Sequence, residues 1–195
     1  MPWLVAGLGN PGERYAATRH NIGAMVAAAL AEADGQRFRK ARFVPVESAE
    51  IRVGPDRLIL ARSLLYMNES GPSYAGLAKK FDVDLGHLIA VHDELDLPFG
   101  AIRVKQGGGN NGHNGLKSLQ SALRSPDYLR IRCGIGRPPG RQDPADFVLD
   151  PFAKREAEGV GVMVQEAADA VRSLVLVGLA ETQNRFNKPG PAAGV

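Results

Sequence analysis

Two short apolar runs constrain the fold of this chain more than any other feature of the sequence. Residues 3–8 and 88–92 are apolar with little alternation, which is typical of strands buried on both faces of a sheet. The first run ends at Gly9-Asn10-Pro11-Gly12 and the second at Asp93-Glu94-Leu95-Asp96. Ligand sites of α/β proteins form where such strands end, so these two breaks are the first places to look for function.

The remaining pattern predicts strands interspersed with helices. Strands are expected over residues 43–53, 57–62, 101–105 and 128–135, and helices over 21–34, 71–81, 114–123 and 153–178. This order indicates an α/β layer architecture. We expect one domain over residues 1–186, followed by a flexible tail at 187–195, because the 195-residue chain shows no internal repeat and no linker.

Composition excludes several classes of protein. A hydrophobic content of 44% supports a core and argues against disorder. One cysteine allows no internal disulfide, which favours a reducing compartment, the cytoplasm. No apolar run reaches the length of a membrane span, and the N-terminus lacks the basic region of a signal peptide, so no membrane association is expected.

The net charge of +3 hides an uneven distribution. Residues 101–141 contain eight basic and one acidic side chains, a net +7, whereas the rest of the chain contains 16 basic and 20 acidic side chains, a net −4. A basic segment is often only a solvated face. Here the cations flank a glycine-rich loop and are spread over about 40 residues, so folding could gather them on one surface, and a polyanion such as nucleic acid is the expected partner.

The first glycine cluster supports a rival hypothesis. Gly7, Gly9 and Gly12 match the G-x-G-x-x-G pattern of dinucleotide-binding oxidoreductases. That motif requires a helix to begin at the third glycine, whereas here the helical pattern begins only near Asn21. Pro11 also removes a backbone N–H where a phosphate would need a donor. A tight turn is the simpler interpretation.

Two residues are the best candidates for acid–base chemistry. His20 lies between a loop and a predicted helix, and Asp93 follows the second apolar run. A carboxylate at that position could orient an imidazole and stabilise its protonated form, as in hydrolytic triads. The sequence does not show that the two side chains meet, and it leaves Glu94 and Asp96 as alternatives to Asp93.

Other chemistry is less well supported. There is no G-x-S-x-G nucleophile motif, and Cys133 lies in a predicted strand, where a buried inert thiol is expected. His20, His92 and His113 are far apart and match no metal motif, so no metal site is predicted. Five glycines between residues 107 and 115 would let the backbone approach a ligand closely, and the flanking Lys105 and Lys117 favour a phosphate or substrate contact.

The chain closely resembles bacterial peptidyl-tRNA hydrolases over nearly its whole length. The resemblance rests on ordered motifs, which are residues 7–12 (GLGNPG), 15–23 (YAATRHNIG), 66–71 (YMNESG), 92–100 (HDELDLPFG), 105–109 (KQGGG) with 112–117 (GHNGLK), and 130–138 (RIRCGIGRP). It implies a single-domain three-layer α/β/α sandwich with a mixed, mostly parallel sheet. The implied activity is hydrolysis of the ester between a peptide and the 3′ ribose of tRNA.

The resemblance also implies roles for particular residues. By the family pattern His20 is the catalytic base and Asp93 its partner, with no cofactor and no metal. Substrate-binding residues would be Asn10, Tyr15, Met67, Asn68, His113 and Asn114. Lys105 and Arg132 match positions that contact a tRNA phosphate. The family further implies a monomer without an obligate protein partner.

The sequence departs from the family pattern at a few positions. Asn111 replaces a glycine of the glycine-rich loop, and Ser63, Leu65 and Glu69 replace other residues around the third motif. These changes put the rigidity of the loop and the wall of the cleft in doubt. A catalytically inactive RNA- or ribosome-associated module of the same fold is the second alternative to the hydrolase.

Overall fold

The two apolar runs form neighbouring central strands of a seven-stranded sheet in the computed structural model, which describes residues 1–188. Residues 189–195 of the tail predicted over 187–195 lie outside the described residues, and its flexibility stays a prediction. The strands are β1 (Trp3–Gly7), β2 (Arg39–Lys40), β3 (Val46–Val53), β4 (Asp56–Ser63), β5 (Leu88–Glu94), β6 (Ile102–Gln106) and β7 (Leu129–Gly134).

The sheet is mixed, as expected. Its order is β2-β3-β4-β1-β5-β7-β6. The central strands β4, β1, β5 and β7 are paired in parallel, whereas β2–β3, β3–β4 and β6–β7 are antiparallel. The carboxyl ends of β1, β4 and β5 therefore meet at one edge of the sheet, where the motifs that follow them come together.

Helices cover both faces of the sheet and complete the three-layer sandwich. The helices are α1 (Ile22–Ala33), α2 (Gly71–Lys80), α3 (Asn114–Leu123), α4 (Pro144–Val148) and α5 (Ala157–Phe186). On one face α1 and α5 bury residues such as Val26, Leu30 and Val171 against the sheet. On the other, α2 and α3 do so with Tyr74, Leu77 and Leu119. Within residues 1–188, no helix has both the length and the hydropathy needed to cross a membrane.

The structure differs from the predicted elements at a few places. Strand β5 continues through Glu94, so Asp93 belongs to the strand itself rather than to the loop after it. The helix predicted to end at 178 breaks there, where Gly178 has a φ of 80°, and then resumes to Phe186. Helix α4 and the two-residue β2 were not predicted. No helix follows Gly12, in agreement with the objection to a dinucleotide site.

Two glycines allow α1 to approach the sheet more closely than side chains would permit. A Cβ on Gly7 would lie 2.6 Å from the carbonyl oxygen of Gly23. A Cβ on Gly23 would collide with the carbonyl oxygen of Val91 and lie 2.6 Å from the amide nitrogen of Leu8. The backbone amide of Ala24 also donates to the carbonyl of Leu8 at 3.1 Å. This contact fixes the start of α1, and with it His20, against the ends of β1 and β5.

Gly23→Ala should therefore destabilise the protein. The added methyl group has no space, and overpacking of this kind costs about 1–3 kcal/mol of unfolding free energy. Urea denaturation measures the change. Gly161→Ala is the matched control, because a Cβ there would meet nothing within 4 Å. Equal stability of the Gly23→Ala variant and the wild type would contradict the role given to this contact.

Candidate functional site

A cavity of about 770 Å³ opens at the carboxyl edge of the sheet. The eight predicted catalytic and substrate-binding residues all line it, and they are His20, Asp93, Asn10, Tyr15, Met67, Asn68, His113 and Asn114. Lys105 and Arg132 are not among its lining residues. The chain thus brings together residues from five separate sequence motifs, whereas the two predicted phosphate contacts lie outside the cavity.

The base of the cavity contains a buried carboxylate shared by two imidazoles. His20 Nδ1 lies 2.9 Å from Asp93 Oδ2. On the other side, His113 Nε2 lies 2.7 Å from Asp93 Oδ1. Asp93 is 3% exposed, His20 6% and the side chain of His113 9%, so all three groups are largely shielded from water. The sequence had left Glu94 and Asp96 as alternative partners of His20. In the structure, the carboxylate that contacts His20 is that of Asp93.

Hydrogen bonds assign the protons of both imidazoles. His113 is the N-cap of α3, and its Nδ1 accepts hydrogen bonds from the backbone amides of Gly115 and Leu116 at 3.1 and 3.2 Å. Its proton is therefore on Nε2, which donates to Asp93. His20 donates to Asp93 through Nδ1, which leaves its Nε2 as the nitrogen that can accept a proton from a molecule in the cavity.

Asp93 and His20 also change each other's ionisation. Burial would raise the pKa of Asp93, but the positive charge that His20 can carry and the hydrogen bonds from His20 and His113 hold that pKa well below its usual range. Burial of the His20 ring disfavours its charged form, yet the negative charge and hydrogen bond of Asp93 outweigh this and raise the pKa of His20 above 6.5. Asp93 therefore stays ionised and makes His20 a stronger base.

The same three residues present a possible set of metal ligands. One ligand atom from each of His20, Asp93 and His113 lies within 4.8 Å of the others. His20 and His113 are thus close in space although they are far apart in the sequence, so sequence separation alone did not exclude a metal site. To bind a metal through Nε2, however, His113 would have to move its proton to Nδ1 and give up the cap of α3. The hydrogen bonds favour a proton-carrying network over a metal centre.

Asn10 is held so that one end of its amide faces the cavity. The side chain of Asn21 donates to the backbone carbonyl of Asn10 at 2.9 Å and accepts from its amide at 2.8 Å. Asn10 Oδ1 in turn accepts from the amide of Met67 at 2.7 Å. The oxygen is thereby occupied, and the NH₂ group of Asn10 is left as the part that can donate to a ligand. Sequence analysis had not identified the role of Asn21.

Two further asparagines and a pair of tyrosines form the rim. Asn68 and Asn114 are exposed, and within residues 1–188 neither side-chain amide makes a hydrogen bond to another part of the protein. Tyr15 and Tyr66 pack edge to face with ring centroids 6.2 Å apart. Met67 is 3% exposed and lies against Gly115 below the rim. The cavity thus combines amide groups with apolar and aromatic walls.

Arg130 holds the glycine-rich loop in place from below. Its guanidinium is buried and donates to the carbonyl oxygens of Gly107 and Gly109 at 3.2 and 2.9 Å, and to His92 Nε2 at 3.2 Å. Burial, together with the positive charge of Arg130, lowers the pKa of His92, so His92 stays neutral and accepts this bond. Arg130 is thus removed from the basic surface expected over residues 101–141.

The departure at Asn111 has a structural explanation. Asn111 takes the left-handed conformation of the usual glycine, with a φ of 50°. Its side chain donates to Glu94 Oε1 at 3.0 Å and also to Asp96. The two acids that competed with Asp93 in sequence analysis therefore anchor the loop. Ser63, another departure, bonds the hydroxyl of Ser73 at 2.9 Å and accepts from the amide of Leu65 at 3.0 Å.

One wall of the cavity comes from α4, which sequence analysis missed. Asp143 caps this helix by accepting from the amide of Ala145, and Pro144 occupies its first turn, a pattern that predicts a helix start. Arg19 fastens the segment beside His20: its guanidinium lies 4.0 Å from the centroid of the Phe147 ring, donates to the carbonyl of Pro151 and pairs with Glu156 at 3.2 Å.

Asp93→Asn should lower the pKa of His20. The substitution removes the charge that favours the imidazolium while the burial that opposes it remains, so we expect His20 to titrate below 6.5 instead of above it. NMR titration of the ring nitrogens measures the shift. Asp84→Asn, at an exposed turn before the amino end of β5 and away from the cavity, is the control and should leave the His20 titration unchanged. A His20 pKa that is the same with and without the Asp93 carboxylate would contradict the coupling.

Cys133, by contrast, takes no part in the site. Its side chain is fully buried in the core, and that burial raises the pKa of the thiol far above its ordinary value. The predicted inert thiol is therefore what the structure shows.

Comparison with known proteins gives the context for this geometry. The peptidyl-tRNA hydrolase family model matches residues 4–193. A peptidyl-tRNA hydrolase of Nocardia farcinica is 54% identical over 186 residues, covering 95% of this chain and 96% of its own length. One from Kineococcus radiotolerans is 51% identical over 194 residues, covering 96% and 98%.

A solved structure supports the same relationship. The crystal structure of peptidyl-tRNA hydrolase from Acinetobacter baumannii superposes with a TM-score of 0.90 at 32% identity, covering 98% of this chain and 97% of that one. The family match, the two relatives and the shared fold all extend over nearly the full chain, and the chain belongs to the peptidyl-tRNA hydrolase family.

Proposed function

We propose that this chain hydrolyses the ester bond between a peptide, or an N-blocked amino acid, and the 3′ ribose of tRNA, and so releases tRNA for reuse in translation. The observation that carries the proposal is the His20–Asp93 pair at the base of a cavity whose rim bears amide side chains. Family membership supplies the substrate class. The complete pair also weighs against an inactive module of the same fold.

His20 acts as the general base in this proposal. With Nδ1 bonded to Asp93, its Nε2 accepts a proton from a water molecule as that water attacks the ester carbonyl. Asp93 stabilises the imidazolium that forms, and the second hydrogen bond, from His113, keeps the carboxylate from rotating away. An ester is a reactive acyl donor, so no covalent nucleophile is needed.

The exposed amides complete the chemistry. The NH₂ group of Asn68 or Asn114 donates to the oxyanion that develops on the attacked carbonyl, and one such donor typically contributes about 2.7–4 kcal/mol of barrier lowering. His20 then returns its proton to the departing ribose oxygen, directly or through water. The amide of Asn10 binds the peptide backbone, a group that a free aminoacyl-tRNA lacks, so unblocked aminoacyl-tRNA is spared.

Lys105 and Arg132 are the proposed contacts to a tRNA phosphate. Partial burial and the nearby charges of Arg130 and Arg132 lower the pKa of Lys105, which indicates a cluster of cations. Arg132 is partly compensated by Glu94, whose carboxylate lies 3.3 Å away, and among the described residues no acid pairs with Lys105. A phosphate would relieve the repulsion between these cations.

We also propose that the protein acts as a monomer in the cytoplasm. The eight predicted catalytic and substrate-binding residues line one cavity within a single copy of the chain, so the proposed reaction requires no second copy. The single cysteine suits a reducing compartment.

Release of N-acetyl-amino acid from N-acetyl-aminoacyl-tRNA tests the activity, with unblocked aminoacyl-tRNA as the substrate that should persist. His20→Ala should lower the single-turnover rate about 10²–10⁴-fold, the usual contribution of a general base. His87→Ala is the control, because that ring packs on Trp3, away from the cavity.

Wild-type rates in the folded His20→Ala variant would end the proposed mechanism. Circular dichroism confirms that the variants are folded. Equal hydrolysis of blocked and unblocked substrates by the wild type would instead contradict the proposed binding of the peptide backbone.

Charge reversal at the phosphate site should weaken tRNA binding without changing the chemistry. Lys105→Glu is expected to raise KM, leave kcat unchanged and reduce the slope of log KM against log salt by about one, since one phosphate contact is lost. Steady-state kinetics at several salt concentrations give both values. Lys79→Glu, on the exposed end of α2, makes the same charge change as a control. An unaltered slope in Lys105→Glu would remove this residue from the interface.

A further inference from the structure

A second cluster of basic residues lies outside the segment that first suggested a nucleic-acid partner. Four cations occur within residues 37–42, and no acid lies between Asp34 and Glu47. The net −4 of the chain outside residues 101–141 therefore combines this +4 with −8 elsewhere. We refer to Arg37, Arg39, Lys40, Arg42 and the adjacent Phe43 as the β2 basic surface.

The cations of the β2 basic surface are exposed and uncompensated. All four are exposed, and among the described residues none forms an ion pair with a carboxylate. The nearest acid in the ladder is Glu47, opposite Lys40, but Glu47 pairs with Arg62 at 3.0 Å. Strand β2 is also the edge of the sheet, so its outer side faces no other strand. The surface thus presents positive charge that the protein itself does not neutralise.

Phe43 distinguishes this surface from a merely solvated charged face. Its side chain is 92% exposed, and its backbone has a φ of 67°, which is unfavourable for a residue with a Cβ. The guanidinium of Arg42 lies 5.1 Å from the centroid of its ring. Strained, exposed residues are concentrated at binding sites. Cations for phosphates beside an aromatic ring for a base are the combination that binds single-stranded RNA.

The β2 basic surface lies at the same edge of the sheet as the proposed active site. Val46 pairs with Ser63, so the loop before β3 adjoins the end of β4. The carbonyl of Pro45 accepts from the amide of Leu64 at 2.9 Å, and the chain then leads directly to Tyr66 and Asn68 at the cavity rim. Lys105 and Arg132 lie on the other side, on β6 and β7. Five inter-strand spacings separate β2 from β7. At about 4.8 Å per spacing, the two strands are about 24 Å apart.

We propose that the β2 basic surface is a second binding surface for the tRNA of the substrate, in which its arginines and lysine contact phosphates and Phe43 stacks on an unpaired base. The inference rests on the proposed function, because it takes the 3′ end of the same tRNA to be in the cavity. Basic surfaces then flank the cavity on both sides, and an RNA that reaches it contacts both.

Two double variants at opposite ends of neighbouring strands test the proposal. Arg39→Gln/Arg42→Gln should raise KM for N-acetyl-aminoacyl-tRNA about tenfold, leave kcat unchanged and reduce the salt slope by about two. Arg52→Gln/Arg57→Gln is the matched control. It removes the same charge at the opposite end of β3 and β4, and should behave as wild type. Phe43→Ala should raise KM without changing the slope, because stacking is not electrostatic.

A minimal substrate separates this proposal from the proposed function. The N-acetyl-aminoacyl ester of adenosine carries the bond to be cleaved but has no phosphate and no second base for the β2 basic surface, so all these variants should hydrolyse it at the wild-type rate. Failure of the wild type on both substrates would overturn the proposed function. Normal hydrolysis of full-length substrate with an unchanged KM and slope in Arg39→Gln/Arg42→Gln would overturn only the second surface.

Two other outcomes would also contradict the proposal. A loss of activity with the adenosine ester equal to the loss with full-length tRNA would mean that the substitutions act through the structure of the cavity. If the double variant keeps its KM for tRNA but loses binding of an unrelated single-stranded RNA in a fluorescence anisotropy assay, the surface serves a separate RNA rather than the substrate.

Discussion

The buried carboxylate of Asp93 is the interaction on which the rest of the site depends. An ionised group at 3% exposure is stable only when hydrogen bonds replace the water it has lost, and His20 and His113 supply them from opposite sides. Each imidazole is fixed in turn by a different element. The close approach at Gly7 and Gly23 sets His20, and the first turn of α3 sets His113.

Below this carboxylate, a second set of polar contacts supports the loop that carries His113. The buried guanidinium of Arg130 bonds two loop carbonyls and a neutral His92 instead of a carboxylate, so its charge is solvated by dipoles. Asn111 fastens the other end of the loop to Glu94 and Asp96. Glycine loses more conformational entropy than other residues when it becomes ordered. These hydrogen bonds to the glycine-rich loop offset that loss.

Much of the fold follows from the sequence, because apolar runs and helical periodicity depend on local chemistry. The predicted helix over 114–123 agrees with α3, and the two central strands were identified by their composition. Very short elements were not predicted, because β2 has two residues and α4 has five, which are too few to show periodicity. The pair Asp143-Pro144 nevertheless has the residue types that are typical of a helix start. The helix predicted to end at 178 has a break at Gly178 and continues beyond it to Phe186.

The site was predicted through its motifs rather than through its geometry. Residues 20, 93 and 113 are distant in the sequence, and only the order of strands in the sheet brings them within hydrogen-bonding distance. For the same reason the sequence counted Arg130 with the basic surface expected over residues 101–141. Strand β7 places Arg130 beneath the glycine-rich loop, and only the tertiary structure determines that position. Arg19 positions the cavity wall formed by α4, and Asn21 positions Asn10. Neither residue belongs to a sequence pattern that predicts such a role.

The side chain of His113 has two functions, and few residue types can perform both at once. Several short polar residues can cap a helix, and several donors can bond a carboxylate. Position 113 must do both, accepting from Gly115 and Leu116 on one side and donating to Asp93 on the other. An asparagine has a donor and an acceptor on the same carbon and cannot span the two partners, whereas an imidazole carries them on opposite sides of its ring. A side chain at position 113 that keeps only one of these contacts therefore weakens either the start of α3 or the support of Asp93.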